Sequence, residues 1–378
     1  MGRLLFKVAG ESHGPALIAL LSALPAGLKY PESLVKNWLR LRRTVAGRGP
    51  RSGTETDQVE IISGFTDGKA NGGPVSLLIR NQDSGGRSST PEGHNQSLEF
   101  PRPGHADFAG AKKWGLTDAS VVAELASARL TAAYTASGAL AQGLLETVGI
   151  STLACVTRLG PIKLRPENWV TGSDLSGAIR KADQSRFLAL DQGREEAMTQ
   201  ALSQAETQGD TLGGEFAVVV APLPAGLGIS QPLEERLDAR FGQCLMGIPG
   251  IVAVSLGQGF EVASQTGRKY HDGYLPDGQG SGTTHSNRGG GLAGGMTTGQ
   301  PLVLRCRVKP LASLGNPLPS FSLRAGDAGP ASRVRGDISA VAPAAVVARA
   351  LVALVLADTL WTSRGGDSID EFIRNHTT

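Results

Sequence analysis

Cysteine is nearly missing from this chain. Its 378 residues contain only Cys155, Cys244 and Cys306, far apart and odd in number. That excludes a disulfide framework and the paired spacing of a zinc site, and it suits a reducing compartment. No metal is expected. A strong net charge is missing too: 37 Lys and Arg stand against 34 Asp and Glu, a formal +3. An excess that small leaves no electrostatic footprint for nucleic acid. Long apolar runs are rare. The opening MGRLLFKVAG has no apolar core of signal-peptide length, so a cytoplasmic protein is expected. The exception, AVAPAAVVARALVALVLADTLW over 340–361, carries Arg349 and Asp358. Charges within a bilayer are costly, so this stretch reads as a buried core helix, and no membrane partner is expected.

Glycine is what the chain has in excess, with 51 residues in clusters of no fixed period. The lack of period excludes collagen, and the 40% of hydrophobic residues suffices for a core. Clustered glycine in a folding chain points to tight loops around a ligand. The length allows one large domain or two ordinary ones. No repeat or linker divides it, so residues 1–378 read as a single domain. Three helices stand out. PESLVKNWLRLRR places Leu34, Val35, Trp38 and Leu39 on one face behind Pro31 and Glu32. The Ala-rich run 119–149 reads as one long helix stopped by Gly149, and 340–361 is the third. Short β-branched runs bounded by Gly, Pro or Asn read as strands: QVEII, PVSLLIRN, GGEFAVVVAPLP, GIVAVSLGQGF and PLVLRCRVKP. No steady βαβ rhythm joins them, which predicts α+β layers rather than a doubly wound parallel sheet. The polar, Gly/Pro-rich stretch 81–107 is a loop long enough to be functional or disordered.

Three features carry candidate chemistry. The first is a pair of loop histidines, His13 in KVAGESHGPAL and His105 in RPGHAD. Imidazole is the natural proton donor or acceptor at cell pH, although a single loop histidine is more often a solvated side chain. His94, His271, His285 and His376 lie in polar or terminal stretches. The second is RLRRTVAGRGPR, residues 40–51. Guanidinium forks pair with phosphate or carboxylate. Arg42 and Arg43 also suit the negative end of a helix dipole, whereas Arg48 and Arg51 stand out in a Gly/Pro loop. The third is the cluster Gly289, Gly290, Gly291, Gly294 and Gly295, whose bare amides can cradle phosphate or flavin carbonyls. It fits neither the Walker nor the Rossmann pattern, because no Gly-Lys-Ser/Thr follows and a strand, not a helix, comes next.

Taken together, GESHGPAL, TDQVEIISG, RPGHAD, GIPGIVAVSLGQGF, NRGGGLAGGMTTGQPL and the strand end Lys309-Pro310 resemble the chorismate synthases, in order and spacing over essentially the whole chain. The resemblance implies a layered α+β sandwich with helices held between antiparallel β-sheets, assembled as a homotetramer. It implies a lyase that removes phosphate and a hydrogen from 5-enolpyruvylshikimate 3-phosphate by 1,4-anti elimination, giving chorismate. The reaction needs reduced FMN, which is not consumed, and NADPH or a separate reductant keeps it reduced. The flavin lends an electron and helps accept the proton. In this resemblance His105 is the acid at the departing phosphate, His13 protonates the reduced flavin, and Asp337 assists the flavin nitrogen as base. Ser127, Pro249, Gly250, Gly294, Lys309, Pro310, Leu311, Ala312, Ser313 and Arg335 match flavin-contacting positions. Arg42, Arg48, Arg51 and Arg129 match contacts to the substrate or the nicotinamide phosphate.

The chain departs from the family pattern in places. Where the family starts its long helix with Arg-Ser-Ser-Ala-Arg-Glu-Thr, Ser127, Ala128, Arg129 and Thr131 are kept but Leu125 stands for the first Arg. The glycine-rich lead-in is replaced by ASVVAEL. The family's Arg-His-Asp-Pro is Arg335-Gly336-Asp337-Ile338, and Thr54 stands at a second basic position of the arginine loop. These changes motivate two alternatives: a flavin-dependent lyase acting on a related enolpyruvyl or phosphorylated ring, and a flavin-binding protein without turnover.

Overall fold

The computed structural model describes residues 4–22, 24–49, 56–81, 97–164, 175–276, 282–334 and 336–377. The chain opens with a hairpin, β1 (Phe6–Ala9) and β2 (Ala16–Leu21), followed by helix α1 (Glu32–Thr44), strand β3 (Val59–Ser63), the ribbon β4 (Phe65–Thr66) and β5 (Lys69–Ala70), and β6 (Val75–Arg80). Helices α2 (Asp107–Trp114), α3 (Ser120–Leu125) and α4 (Thr131–Glu146) come next. Then follow β7 (Ser151–Leu159), β8 (Ile162–Lys163), α5 (Leu175–Gln184), α6 (Glu195–Thr207), β9 (Gly214–Ala221), β10 (Ala225–Gly228), α7 (Leu237–Met246) and β11 (Ile251–Leu256). The remainder holds α8 (Gly267–Tyr270), β12 (Tyr274–Leu275), β13 (Thr283–Thr284), β14 (Leu292–Ala293), β15 (Met296–Thr298), β16 (Leu302–Val308), β17 (Pro319–Phe321), β18 (Ala328–Pro330), α9 (Val341–Arg364) and α10 (Ile369–Thr377).

Two antiparallel sheets enclose the long helices. One sheet runs β1-β2-β6-β3 and the other β11-β16-β9-β7-β8. Helix α4 lies on the first, α9 on the second, and α1 packs against both helices, so the order is sheet, helices, sheet. This is the layered α+β sandwich that the sequence leads one to expect. Gly138 sets the closeness of the two central helices: a Cβ there would lie 2.4 Å from the Ala350 Cα, so α4 and α9 touch backbone to backbone. The Ala-rich composition of both helices serves this contact, because small side chains let axes approach.

The two sheets differ in cover, and their sequences show it. The second sheet is packed on its inner face by α9 and on its outer face by α5, where Leu153, Val219 and Val303 meet Ala182. With no wet face, β9 reads as a continuous apolar run, FAVVVA. Among the described residues the first sheet is covered on one side only, so β2 alternates: Leu17, Ala19 and Leu21 are buried, while Ile18 and Leu20 are 45% and 46% exposed.

Helix α9 is buried along its length. Both of its interior charges are paired. Arg349 donates to Asp183 (3.0 Å) and Thr152 (3.2 Å) and stacks 4.5 Å over the Trp38 ring. Asp358 accepts from Arg240 (2.5 Å) and from the Leu4 amide (2.7 Å). This helix is long and apolar enough to cross a membrane, but it is the packed centre of the fold. Cys155 and Cys306 lie buried in the second sheet, and Cys244 is half-buried on α7. Loss of hydration pushes all three thiols up to about 12.

The Ala-rich run 119–149 departs from the single helix expected. It breaks after α3, turns through extended backbone at Ser127 and a 3-10 turn at Ala128–Leu130, and restarts as α4. The Ser127 hydroxyl accepts from the Arg129 amide and so caps the restart. Helix propensity is overridden here by polar side chains that take up the backbone at the break.

Candidate active site

The loop between β1 and β2 carries His13. Its entry requires glycine: at Gly10 φ is +131°, and a Cβ would lie 2.7 Å from the Ala16 carbonyl oxygen. The loop is clamped from β6 by Asn81, whose amide nitrogen donates to the carbonyls of Glu11 (3.1 Å) and Gly14 (2.7 Å). The polar trio then faces the helix break. Ser127 Oγ donates to Ser12 Oγ (3.0 Å). Glu124, near the end of α3, accepts the His13 backbone N–H (2.9 Å) and sits 2.5 Å from the ring Nδ1.

Beneath that contact lies a buried ion cluster. Arg129 pairs with Asp57 and donates Nε to Asn81 (2.8 Å). Arg42 pairs with the other Asp57 oxygen (3.2 Å) and donates to Thr131 (2.9 Å) and to the Ala128 carbonyl (3.1 Å). Arg42 is therefore neither a solvated helix end nor an open phosphate contact. It is 3% exposed, and its donors tie α1 to the start of α4. The reason is geometric: Arg42 falls on the buried face of α1 beside Trp38 and Leu39.

The second histidine is held by its own motif. Asp107, the first residue of α2, is fully buried. It accepts Arg102 Nε (2.7 Å), Nη2 (3.0 Å) and backbone N–H (3.0 Å), and lies 2.5 Å from His105 Nδ1. Burial acts to raise the Asp107 pKa. The hydrogen bonds from His105 and Arg102 outweigh it and hold the carboxyl well below the usual carboxylate range. Arg102 Nη2 also lies 3.1 Å from His105 Nδ1, but a guanidinium only donates, and the ionised Asp107 oxygen at 2.5 Å is the shorter contact and only accepts. The Asp107 contact therefore favours the proton on Nδ1, which leaves Nε2 as the ring nitrogen not engaged by this pair.

The stretch expected to contact flavin meets this histidine. Arg102 Nη1 donates to Ser313 Oγ (2.9 Å), and Lys309 Nζ donates to the Gly104 carbonyl (2.5 Å). The Lys309 amide donates to the Gly250 carbonyl (2.9 Å), which brings in the Pro249-Gly250 turn. On the far side of Ser313 stands Gly336, where a Cβ would come within 3.1 Å of the Ser313 Cβ. Asp337 follows, accepting Arg48 Nη1 (2.5 Å) and the Gly49 amide (2.7 Å). Arg48, Gly49 and Gly336 line an open cleft of about 450 Å³ together with Arg186, Thr199 and Glu206.

The candidate residues thus fall into two groups. His105, Lys309 to Ser313 with Pro310, Leu311 and Ala312 between, Gly250, Asp337 and Arg48 form one; His13, Ser127, Arg129 and Arg42 form the other. Helices α2 and α3 join them, packing Val122 against Gly110. Gly294 stands apart on the β14–β15 hairpin, near Ser230. Arg51 and Arg335 lie outside the described residues. Sequence reasoning missed Arg102, Asp107, Asn81, Asp57 and Glu124. Arg102 and Asp107 had a local signal, since they flank His105 in PRPGHAD. Glu124 had only its isolation as an acid in an apolar, Ala-rich run.

Known proteins resemble the whole arrangement. The family model described as chorismate synthase matches residues 4–361. A chorismate synthase of Frankia casuarinae is 39% identical over 383 residues, covering 97% of this chain and 96% of its own. Another, of Streptomyces coelicolor, is 39% identical over 390 residues, covering 99% and 97%. A crystal structure of chorismate synthase matches with a TM-score of 0.80 at 30% identity, covering 99% of this chain and 96% of that one.

Proposed function

The chain belongs to the chorismate synthase family and has that family's function, and from this premise we propose how its own residues carry the elimination of phosphate from 5-enolpyruvylshikimate 3-phosphate. The observation that carries the reading is His105, oriented by Asp107 and Arg102 against the Lys309–Ser313 stretch. As imidazolium, His105 gives its Nε2 proton to the departing phosphate oxygen, and the buried Asp107 carboxylate balances the charge it loses. Arg48, with Arg51, supplies guanidinium charge for the phosphate and the two carboxylates of the substrate. Arg129, expected to join them, is instead buried and paired with Asp57 and Asn81, and holds the helix break beside the His13 loop. Arg42 serves the same break, by fixing Asp57 and hence Arg129.

The donor set also fits reduced FMN. Arg48 Nε is buried with no acceptor among the described residues, beside a cavity whose volume falls in the usual range of about 300–1,000 Å³ for ligand pockets. Of the residues the resemblance assigns to it, Lys309 to Ser313 and Pro249-Gly250, beside His105, would hold it together with Arg335; Ser127 lies in the other group, Gly294 stands apart, and none of the described ones lines that cavity. When bound, reduced FMN supplies electron density to the substrate ring and takes part in removing the ring hydrogen. His13 would keep a proton available to the bound flavin, and Asp337, held by Arg48 and Gly49, would act as the base beside it. A single domain in the cytoplasm, NADPH as source of reducing equivalents, and a homotetramer complete the proposal. The apolar outer face of the first sheet, with Ile18 and Leu20 exposed, supports the assembly.

The experiment is direct. Purified protein, FMN and dithionite under anaerobic conditions receive 5-enolpyruvylshikimate 3-phosphate, and chorismate and phosphate are assayed together. Equal release of both is expected. A folded, flavin-loaded protein that yields neither overturns the reading.

A further inference from the structure

We propose that Glu124 is the positioning residue of His13: it fixes the ring as the Nδ1–H tautomer and thereby directs proton transfer at this histidine to Nε2. The proposal rests on the reading above, in which His13 handles a proton. Its basis is a two-point grip. One carboxylate oxygen takes the His13 backbone N–H at 2.9 Å, and the other lies 2.5 Å from the ring Nδ1. Because the backbone contact fixes where the carboxylate sits, the ring contact becomes a constraint on ring orientation.

The position of Glu124 sharpens the point. It lies one residue from the end of α3, where the backbone leaves carbonyl groups and the dipole is negative. A carboxylate is poorly placed there on helix grounds alone. Among the donors that favour it are an amide and an imidazole from a loop 111 positions away. Glu124 is also mostly withdrawn from water, with 15% of its side chain exposed against 32% for His13. Its neighbour Leu125, in the place where the family pattern has arginine, is 53% exposed and supplies no competing charge. The same device occurs at the other histidine, where Asp107 takes the Arg102 backbone N–H and His105 Nδ1. An unpartnered neutral histidine in water prefers Nε2–H, so a carboxylate at Nδ1 reverses the default.

The test reads the tautomer directly. The full chain, loaded with FMN and labelled with ¹⁵N-histidine, is examined by NMR at a pH where the imidazoles are neutral, with His13→Gln used to assign the signal. His13 is expected with a pyrrole-type Nδ1 and a pyridine-type Nε2. In Glu124→Ala the pattern is expected to invert, with His105 unchanged as internal control. Turnover in that variant is expected to fall at least about tenfold with KM for the substrate little altered. A wild-type His13 already in the Nε2–H form overturns the proposal, even if the variant does not fold. So does a tautomer that Glu124→Ala leaves in place. Inversion with full turnover keeps the grip and instead removes His13 from the proton chemistry proposed above.

Discussion

The two histidines of the site are held in the same way but built differently. His105 takes its carboxylate from two residues along the chain, at the start of the helix its own loop enters. His13 takes its carboxylate from 111 residues away, across a packed helix break. The local dyad is deeply buried and reinforced by Arg102 with three donors. The distant dyad is shallower and depends on tertiary packing to exist. A histidine–carboxylate pair made within one short motif forms whenever that motif folds. One made between distant segments also reports whether the layers have docked.

The sharpest way to break this contrast is to remove each carboxylate. Asp107→Ala strands Arg102 in the interior, and stripping one partner from a buried pair costs roughly 3–5 kcal/mol. Glu124→Ala loses hydrogen bonds at a wetter place, for roughly 1–2 kcal/mol. Urea unfolding of both variants checks the order, and equal losses would erase the distinction. Activity comes next: His105→Ala is expected to lower turnover at least about a hundredfold in a phosphate-release assay. Near-normal turnover there takes the acid role away from His105.

Acidity offers a smaller probe of the same pair. The folded Asp107 carboxyl lies below its unfolded value, because His105 and Arg102 outweigh burial. Its contribution to stability is therefore complete above the unfolded carboxylate pKa of about 3.9, and is lost as pH falls through the depressed folded value. The stability gap between the native chain and Asp107→Asn should persist from neutral pH down to about 4 and narrow in stronger acid. A gap that closes already near neutrality contradicts the assignment. The smallest expected effect is on salt. Raising ionic strength should weaken substrate binding by a few-fold through the arginine loop, since partly exposed charges are screened while the buried dyads are not. KM measured against added salt decides it.

Much of this was legible in the sequence, and the remainder has identifiable causes. The helix over 32–44 follows from the face made by Val35, Trp38 and Leu39, all of which are buried. The interior of the fold at 341–364 follows from an apolar run whose two charges had to find partners, and they do. Strand β7, STLACVTRL, went unread although β9, covered in the same way, is legible; its Ser, Thr, Ala and Arg dilute the β-branched apolar run that marks β9. The break at Ser127 escaped because helix propensity speaks for each residue alone. Arg129, Arg42 and Asp57 act on the backbone only together. At the site, RPGHAD carries both its histidine and that histidine's carboxylate. No pattern of spacing ties His13 to Glu124, and only the packing of α3 does.

The thiols bear on how such a protein is handled at the bench. With Cys155 and Cys306 sealed inside the second sheet and all three sulfhydryls raised to about 12, almost no thiolate exists at neutral pH. Maleimide or iodoacetamide should label the native chain slowly and leave its turnover intact. On the reading proposed above, any air sensitivity of the reaction is then expected to trace to the reduced flavin rather than to these thiols.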